Sequence, residues 1–403
     1  MLRLKHTLIA YILTTALSPS VSTNAATYYV ATNGSNSNPG TSSQPWRTVA
    51  YAADRMVAGD TTYVKGGVYN EGLIRFKRSG TSSAPIKLLN VSGQFPIIDC
   101  VDKTAGQMIL LQNSSGSKYR IGWITIEGFE IRDCTNGIKW YNLHDSTIRR
   151  NWIHHNQIDK SGILGVGGFR VVIDRNRLNN VEGHGIYING SSMTLTNNLL
   201  YNTRKYAIQL NGSVLYDSSR FPGSEFAESH NWVIANNTFA YSRTEGAITI
   251  WGSKCNNAKV QNNIFYENAS AGSSIAANGI TFQSTGGTGI KINNNLAFAS
   301  GSGGTRFLTG TSAKEGVHYT QSGNIVNTLS PKFVNAPSTL PSSPNFSLTS
   351  GSPAIDNGLS LSATVISYPG TTRPKLSAYD VGAYEYYSGS TTSTAPTSLQ
   401  VAN

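Results

Sequence analysis

Short apolar strands separated by asparagine-containing turns recur along the middle of the chain. The repeated segments read IRRNWIHHN, IDRNRLNN, LTNNLLYN, IANNTFAYS, VQNNIFYEN and INNNLAFAS. Each segment has an asparagine at the same place, and the six are Asn151, Asn176, Asn198, Asn237, Asn263 and Asn295. The first two intervals are 25 and 22 residues, and the third is 39 residues because it contains an insertion. Repeats of this length with short strands are typical of β-solenoids.

A second apolar pair follows each of the first five asparagines and opens another short strand. These pairs are Gly162-Ile163, Gly185-Ile186, Ala207-Ile208, Ala247-Ile248 and Gly279-Ile280. The residues after each pair alternate between apolar and polar, which is the period of a half-buried strand. The leucine consensus of leucine-rich repeats is missing, and no amphipathic helix interrupts the units. The pattern therefore predicts an all-β parallel β-helix.

Stacking of the coils explains the repeated asparagines. Successive coils of a β-solenoid lie at the inter-strand spacing of about 4.8 Å. An asparagine at one turn can hydrogen-bond to its copies above and below, and asparagine also tolerates left-handed backbone at turns. We expect these six residues to be structural.

The two ends differ from the periodic middle. The segment WRTVAYAADRM predicts a short amphipathic helix that caps the open end of the solenoid, and GDTTYVKGGVY predicts the first coil strand. The C-terminal part, from about 310 to 387, is irregular. Residues 388–403 are rich in serine and threonine and are expected to be a disordered tail.

The first 25 residues resemble a secretory signal peptide. A basic start is followed by an apolar run from about Leu8 to Leu17 and by small residues up to Ala25. This run is too short to span a membrane. We expect cleavage near Ala25 or Ala26, and an exported β-helix domain spanning residues 26–387.

Cysteine content and charge narrow the possible partners. The three cysteines, Cys100, Cys134 and Cys255, allow one disulfide with one thiol, or three buried thiols, and predict no zinc site. The formal net charge of +11 favours an anionic partner. No Lys/Arg-dense run indicates nucleic-acid binding. We expect a monomer with neither a nucleic-acid nor a membrane partner.

One face of the predicted solenoid concentrates polar, aromatic and basic side chains. In the strand opened by each second apolar pair, the isoleucines fill the interior of the solenoid. The residues between them point outward and lie next to those of adjacent coils. These outward pairs are Lys139 and Tyr141, Leu164 and Val166, Tyr187 and Asn189, Gln209 and Asn211, Thr249 and Trp251, and Thr281 and Gln283. His184, Lys205 and Tyr206 are expected at the turn that leads into this face.

The two ends of the chain carry a more specific resemblance. The opening YYVATNGSNSNPGTSSQPWRTVAYAADRMVAGDTTYVKGGVY and the closing SPAIDNG and RPKLSAYDVGAYEY resemble the ends of secreted right-handed parallel β-helix proteins of the pectate-lyase-like superfamily. With the coils between them, the resemblance covers nearly the whole chain after residue 25. It implies a polysaccharide lyase that acts on pectate, alginate or a related uronate polymer.

β-Elimination from a uronate requires three chemical roles, which side chains on this face could fill. The carboxylate must be neutralised, a base must remove the C5 proton, and an acid can protonate the leaving oxygen. We predict Lys205, His184 and Tyr187 as catalytic residues. The predicted substrate-binding residues are Arg204, Tyr206, Gln209, Asn189, Asn211, Trp251 and Lys139. Each also has a structural interpretation. Lys205 and Arg204 can be solvated turn residues, His184 can hydrogen-bond to backbone, and the amide side chains can form a surface ladder.

Two further segments border this face. The insertion from Ser213 to His230, which carries Tyr216 and Arg220, is predicted to form a groove wall or lid. The stretch YNLHDST faintly resembles the Tyr…Asp-Pro-His stretch of β-helical mannuronan epimerases but lacks the Asp-Pro, so His144 and Asp145 are second-choice candidates. No aspartate cluster like that of calcium-dependent pectate lyases lies on the face. We therefore expect neither a metal nor another cofactor.

Two other functions compete with the lyase. Gly183-His184-Gly185 matches a fragment of β-helical polygalacturonases, but the aspartate motifs of those hydrolases are missing, and only Glu182 and Glu245 are acidic near the face. A non-catalytic carbohydrate-binding protein is the second alternative. The predicted substrate is an acidic polysaccharide, with alginate first and pectate or glucuronan next.

Overall fold

The computed structural model describes residues 25–100, 106, 108–212, 217–269, 277–300, 306–310 and 312–387. Three parallel sheets run along a solenoid, and a typical coil adds one strand to each sheet. The predicted all-β parallel β-helix is confirmed. Residues 1–24 of the predicted signal peptide and the predicted tail 388–403 lie outside the described residues.

Each sheet collects strands from the whole length of the chain. The first sheet contains Thr27–Val30, Thr61–Val64, Ile86–Asn90, Ile124–Glu127, Thr147–Arg149, Val172–Asp174, Thr194–Thr196, Val233–Ala235, Lys259–Gln261, Ile290–Asn293 and Tyr319–Ser322. The second contains Gly67–Asn70, Pro96–Asp99, Glu130–Arg132, Trp152–His154, Arg177–Val181, Leu199–Thr203, Thr238–Ala240, Ile264–Tyr266, Leu296–Phe298 and Ile325–Val326. The third contains Leu73–Phe76, Met108–Leu111, Ile121–Gly122, Ile138–His144, Ile163–Phe169, Ile186–Ile188, Ile208–Gly212, Gly246–Gly252, Ala277–Phe282 and Leu308–Thr309.

The apolar interior fixes the register of the coils. In the third sheet the aligned inward residues are Ile163, Ile186, Ile208, Ile248 and Ile280, and all are fully buried. Burial of one such side chain contributes about 1.5–3 kcal/mol, and a shift by one residue would turn the whole set outward. The same register therefore also fixes which outward side chains become neighbours.

An asparagine ladder runs up one turn of the solenoid, as predicted. The side-chain amide of each ladder residue donates to the amide oxygen of the next, from Asn151 through Asn295 to Asn324, over 3.0–3.1 Å. The left-handed backbone belongs to the residue before each ladder asparagine, for example Asn197 with φ 55° and Asn236 with φ 53°. Asparagine therefore serves this turn at two successive positions, once for its side chain and once for its backbone.

A short helix closes the N-terminal end, which confirms the predicted cap. It spans Val49–Arg55, and the hydroxyl of Thr48 accepts from the Tyr51 amide at its start. The carboxylate of Glu71 also accepts from the amide of Val49 at 2.7 Å. Val49, Ala52 and Ala53 are buried, so the helix covers the apolar end of the coils. Terminal caps of this kind hide core and strand edges that stacking cannot reach.

The C-terminal segment packs along the outside of the solenoid. It contains the antiparallel strands Phe333–Asn335 and Asn345–Leu348 and the 3₁₀ turn Ser362–Thr364. Arg373, whose side chain is fully buried, donates to Glu385 at 2.6 Å and to the carbonyls of Gly382, Ala383 and Tyr384. The carbonyl of Asp380 accepts from the amide of ladder-turn residue Asn236. This segment is thus irregular, as predicted, but tightly anchored.

Two of the three cysteines form a disulfide. Cys100 pairs with Cys134, while Cys255 is a buried thiol whose pKa is raised to about 12 by burial. Of the two arrangements that the sequence allowed, the structure therefore shows one disulfide with one thiol. No helix within the described ranges is long and apolar enough to cross a membrane.

We predict that Asn237→Ala lowers the free energy of unfolding by about 2–4 kcal/mol. The oxygen of Asn237 accepts from the backbone and side-chain amides of Asn198, which would lose a partner inside the solenoid. Urea unfolding followed by circular dichroism measures the change. Asn293→Ala, on the outer face of the first sheet, is the matched control and should change stability by less than about 0.5 kcal/mol. Equal losses in both variants would contradict a structural ladder.

Candidate functional site

The strand register of the third sheet brings the predicted polar face together. Lys139 pairs with Leu164, Leu164 with Tyr187, Tyr187 with Gln209, and Gln209 with Thr249. Beside this row, Asn211 pairs with Trp251, as the alternation of the strands predicts. Residues that are distant in sequence therefore line one continuous face at steps of about 4.8 Å.

The third sheet differs from the other two in its charge. Its described strands contain no aspartate or glutamate, and Arg75 and Lys139 are the lysines and arginines that they carry. By contrast, the outer face of the first sheet carries Glu127 and Asp174, while the second sheet carries Asp99 and Glu130. A surface with cations and without carboxylates attracts anions.

Lys205 lies at the edge of this face, in the turn that connects the second sheet to the third. Its ammonium is 3.2 Å from a carboxylate oxygen of Asp159, to which Arg204 also binds at 2.9 Å. Lys205, followed by Arg204, holds the pKa of Asp159 below its usual value. The Lys205 amide donates to Gly183, and the hydroxyl of Thr203 donates to the Lys205 carbonyl. The turn is thus fixed from both sides, while the side chain of Asp159 is 54% exposed.

Two glutamates border the same turns in different electrostatic states. Glu182 accepts from Arg243 over 2.6 Å. Burial raises the pKa of Glu245, and the nearby positive charge of Lys205 opposes that rise. The edge of the face therefore contains two ion-paired carboxylates, Asp159 and Glu182, and one partly buried carboxyl group, Glu245.

His184 is packed between two tyrosines beside Lys205. Its ring is stacked on Tyr206 at 6.1 Å between ring centroids and tilted against Tyr187 at 5.2 Å. Burial, assisted by the charge of Lys205, lowers its pKa to about 4, so the imidazole is neutral at neutral pH. Its Nδ1 atom is buried and has no hydrogen-bond partner among the described residues. The residue as a whole is half-buried, so a ligand would meet the neutral ring at its exposed edge rather than at Nδ1.

The two tyrosines differ in accessibility. Tyr206 is 2% exposed, and its hydroxyl accepts from the side-chain amide of Gln283 at 2.9 Å, while burial raises its pKa. Tyr187 is partly exposed, and its hydroxyl accepts from Asn211 at 3.3 Å. Tyr206, predicted to bind substrate, is instead buried and packs against the ring of His184. The hydroxyl of Tyr187, by contrast, lies on the face.

The predicted amide ligands occupy different environments. Asn189 is buried, and its side chain donates to the carbonyls of Phe226 and Ala227 and accepts from the amide of Gly167. Its side-chain oxygen and its NH₂ group both bind backbone, so the structure gives Asn189 a structural position. Gln209 is 6% exposed and sits in the row beside Tyr187.

Two of the residues predicted to bind substrate, Trp251 and Lys139, lie on either side of the central coils. The ring of Trp251 is 43% exposed. The ammonium of Lys139 lies 5.0 Å from the centre of the Tyr141 ring. Both side chains are thus accessible on the face, as their alternation in the strands predicts.

The insertion packs against one border of the face. It forms the short helix Ser224–Ala227, and Phe221 and Phe226 pack against Val166 and Phe169. Arg220 and His230 are held there through their backbone carbonyls, and Tyr216 lies outside the described residues. The insertion therefore borders the face and covers Asn189, while its role as a groove wall or lid stays a prediction.

The second-choice candidates lie behind that wall. His144 is 2.8 Å from Asp145, which also binds Arg170 through two hydrogen bonds. The ring of His144 contacts Trp123 and Phe226 edge-on, and it is 8% exposed. The insertion therefore separates this pair from the face that carries Lys205.

No group of three or more His, Cys, Asp or Glu side chains in the described part of the chain is placed to hold a metal ion. The acidic residues nearest Lys205 do not fit a metal cluster, because Asp159 and Glu182 each bind cationic side chains.

Sequence reasoning missed Asp159 as a partner of Lys205. Gly162 and Ala207 each open an equivalent strand of the third sheet, and Asp159 stands three residues before Gly162, just as Arg204 stands three residues before Ala207. Alignment of the turns rather than the strands would have placed both at the same border of the face. The missing information was the direction in which the long side chain of Lys205 extends.

Comparisons with known proteins agree with this architecture. Residues 28–207 match the family model described as the Pel9A-like, right handed beta helix region. The crystal structure of pectate lyase Pel9A superposes with a TM-score of 0.57 at 17% identity, over 90% of this chain and 96% of that one. The predicted right-handed parallel β-helix fold is thus confirmed.

Two curated relatives match over short segments. An uncharacterized protein, YwoF of Bacillus subtilis, is 40% identical over 70 residues, which are 17% of this chain and 15% of YwoF. Pectate lyase PEL9 of Emericella nidulans is 40% identical over 85 residues, which are 21% of this chain and 20% of that enzyme. The matched segments thus span at most about a fifth of either relative's length.

We predict that His184 makes stability depend on pH. The unfolded state takes up a proton below about pH 6.5, whereas burial delays protonation in the folded state until about pH 4. The contribution of neutral His184 to stability is therefore complete above pH 6.5 and is lost as the pH falls. Between pH 7 and 4.5, wild type should lose about 2 kcal/mol more than His184→Asn in chemical denaturation. Parallel curves for the two proteins would refute a buried, neutral His184.

Proposed function

We propose that this chain, a protein with the pectate-lyase-like right-handed parallel β-helix fold, is a polysaccharide lyase that cleaves a uronate-containing polymer by β-elimination. The observation that carries the proposal is the carboxylate-free face of the third sheet, with Lys205 at its edge. An anionic polymer is attracted to such a face, and a lysine at its border is positioned for proton transfer.

The reaction requires one proton to leave C5 and another to reach the leaving oxygen. We assign Lys205 as the base, which takes the C5 proton as an unprotonated amine. The electron pair of the C5–H bond becomes the C4–C5 double bond, and the C4–O bond breaks. Tyr187 donates its hydroxyl proton to the departing oxygen, and both side chains recover their starting states by exchange with water.

The position of Asp159 sets the condition under which Lys205 can act. The amine must leave the ion pair at 3.2 Å in order to reach a sugar on the face. Because the carboxylate of Asp159 is 54% exposed, the pair can open at little cost. Arg204 remains at the same turn, and its guanidinium can then pair with the carboxylate of either Asp159 or the substrate.

Neutral His184 contributes a hydrogen bond rather than a charge. Its buried Nδ1 faces no protein partner among the described residues, and its ring is held by Tyr187 and Tyr206. We propose that it orients a substrate hydroxyl or carboxylate next to Lys205. His184 remains the alternative base, because a neutral imidazole can take a proton without first losing one.

We further propose that the reaction is metal-independent. The proposed face has cations where a substrate carboxylate would lie, and its bordering acids do not form a metal cluster within the described ranges. Lys139, Arg204 and the amide of Gln209 are the groups proposed to neutralise or bind the substrate carboxylates.

Pectate and alginate are the leading substrates. The sequence favours alginate, whereas the compared structure and one curated relative are both named as pectate lyases. We therefore place pectate first and alginate second, with glucuronan third. All three present a carboxylate on each sugar, which is the feature that the charged face would recognise.

A hydrolase or a simple binding protein fits the geometry less well. Hydrolysis needs two carboxyl groups facing each other across the scissile bond. Glu182 is bound by Arg243 over 2.6 Å, and Asp159 is bound by Lys205 and Arg204, so two of the three acids at this edge are already paired with cations. A binding protein would need no proton-transfer group, and substitution of Lys205 would then change affinity alone.

We also propose that the protein is exported. Its first 25 residues have the pattern of a signal peptide, and Cys100 and Cys134 form a disulfide. Disulfides persist mainly in oxidising compartments outside the cytosol. A polymer-degrading enzyme would meet its substrate there.

We predict that Lys205→Ala lowers kcat on the preferred uronan by about 10²–10⁴-fold, the range expected for loss of a general base. The assay follows the ultraviolet absorbance of the new double bond on pectate, alginate and glucuronan, with and without EDTA. Lys160→Ala is the matched control, because Lys160 is an exposed lysine next to Asp159. The control should keep wild-type activity.

Three outcomes would contradict parts of this proposal. Reducing ends without ultraviolet absorbance would indicate hydrolysis and would direct attention to Glu182 and Glu245. Loss of wild-type activity in EDTA would reject metal independence. A Lys205→Ala variant with normal kcat would exclude Lys205 as the base and leave His184 as the candidate.

A further inference from the structure

Basic and apolar side chains alternate along the outer row of the third sheet on the N-terminal side of Lys205. Arg75 pairs with Leu110, Leu110 with Lys139, and Lys139 with Leu164. Each step is one coil of the solenoid. A cation therefore occurs at every second coil, and a partly buried leucine lies between the cations.

The spacing of this row suits an extended polymer. Arg75 and Lys139 are separated by two strand spacings, or about 10 Å. That distance is close to the length of a disaccharide in an extended 1,4-linked chain. A uronan in which alternate carboxylates point to one side would place them at matching intervals, with its C–H surfaces over Leu110 and Leu164.

Neither cation is neutralised by the described part of the protein. Arg75 and Lys139 form no ion pair with any described residue, and the Nε atom of Arg75 is buried without a hydrogen-bond partner. The neighbouring acids are used elsewhere, since Asp54 binds Lys77 and Glu71 binds helix amides. Within the described ranges, two cations without an ion pair on strands that contain no carboxylate favour an anionic ligand over further intramolecular pairing.

We propose that Arg75, Leu110, Lys139 and Leu164 form a binding track for alternate carboxylates of a uronan chain that extends from Lys205 toward the N-terminal cap. This inference rests on the proposed function for the identity of the polymer. The inference adds Arg75 to the proposed substrate contacts, although Arg75 lies five coils from Gln209 in the same row.

The test measures how affinity depends on chain length. Titration calorimetry compares a uronate trimer with an octamer, using Lys205→Ala as the background so that the ligands stay intact. The octamer should bind at least tenfold more tightly than the trimer. Adding Arg75→Gln should reduce that ratio about five- to tenfold, and added salt should weaken the octamer more than the trimer. Lys87→Gln, an exposed lysine on the first sheet, is the matched control and should leave the ratio unchanged.

The outcomes separate the track from the proposed reaction. The track would be overturned if Arg75→Gln left the octamer-to-trimer affinity ratio unchanged, or if Lys87→Gln lowered that ratio as much as Arg75→Gln does. Either result would count even if wild type produces unsaturated sugars. A ratio that depends on Arg75, in a protein whose wild type makes no unsaturated product, would support the track and reject the lyase. Equal affinity for trimer and octamer in the Lys205→Ala background would also overturn the track.

Discussion

Parallel pairing of successive coils is the constraint on which this structure depends. The buried isoleucines and the asparagine ladder hold each coil in one register, and that register determines every outward neighbour. Tyr187 lies beside Gln209 for this reason, although 22 residues separate them in the chain. The interior is repetitive because it must stack. The face can vary because the stacking of the coils is fixed mainly by the buried isoleucines and the asparagine ladder.

Charge is distributed so that one face remains accessible to anions. Acidic side chains of the first and second sheets bind nearby arginines, as Glu127 binds Arg149 and Asp99 binds Arg132. Near the third sheet, Asp159 binds Lys205 from the turn rather than from the face. An exposed pair of this kind contributes little to stability, so it can open at little cost. The proposed role of Lys205 as an unprotonated base requires this opening.

Local periodicity was sufficient to predict the coils, the ladder, the capping helix and the face. It was insufficient where a distant segment covers part of that face. Asn189 follows the outward pattern of its strand, yet the insertion carrying Phe226 packs over it and uses its amide. Tyr206 is buried because His184 stacks on it, which is a contact between coils. Asp159 could not be assigned from strand alternation, because its contact with Lys205 depends on side chains that span adjacent turns.

The central claim is that the protein breaks the C4–O bond of a uronan by elimination. Mass spectrometry of the two fragments from one defined oligouronate tests it most directly. Elimination adds no water, so we expect the two product masses to sum to the mass of the substrate, and one product to be unsaturated. A sum that exceeds the substrate by one water molecule would show hydrolysis and would contradict the account.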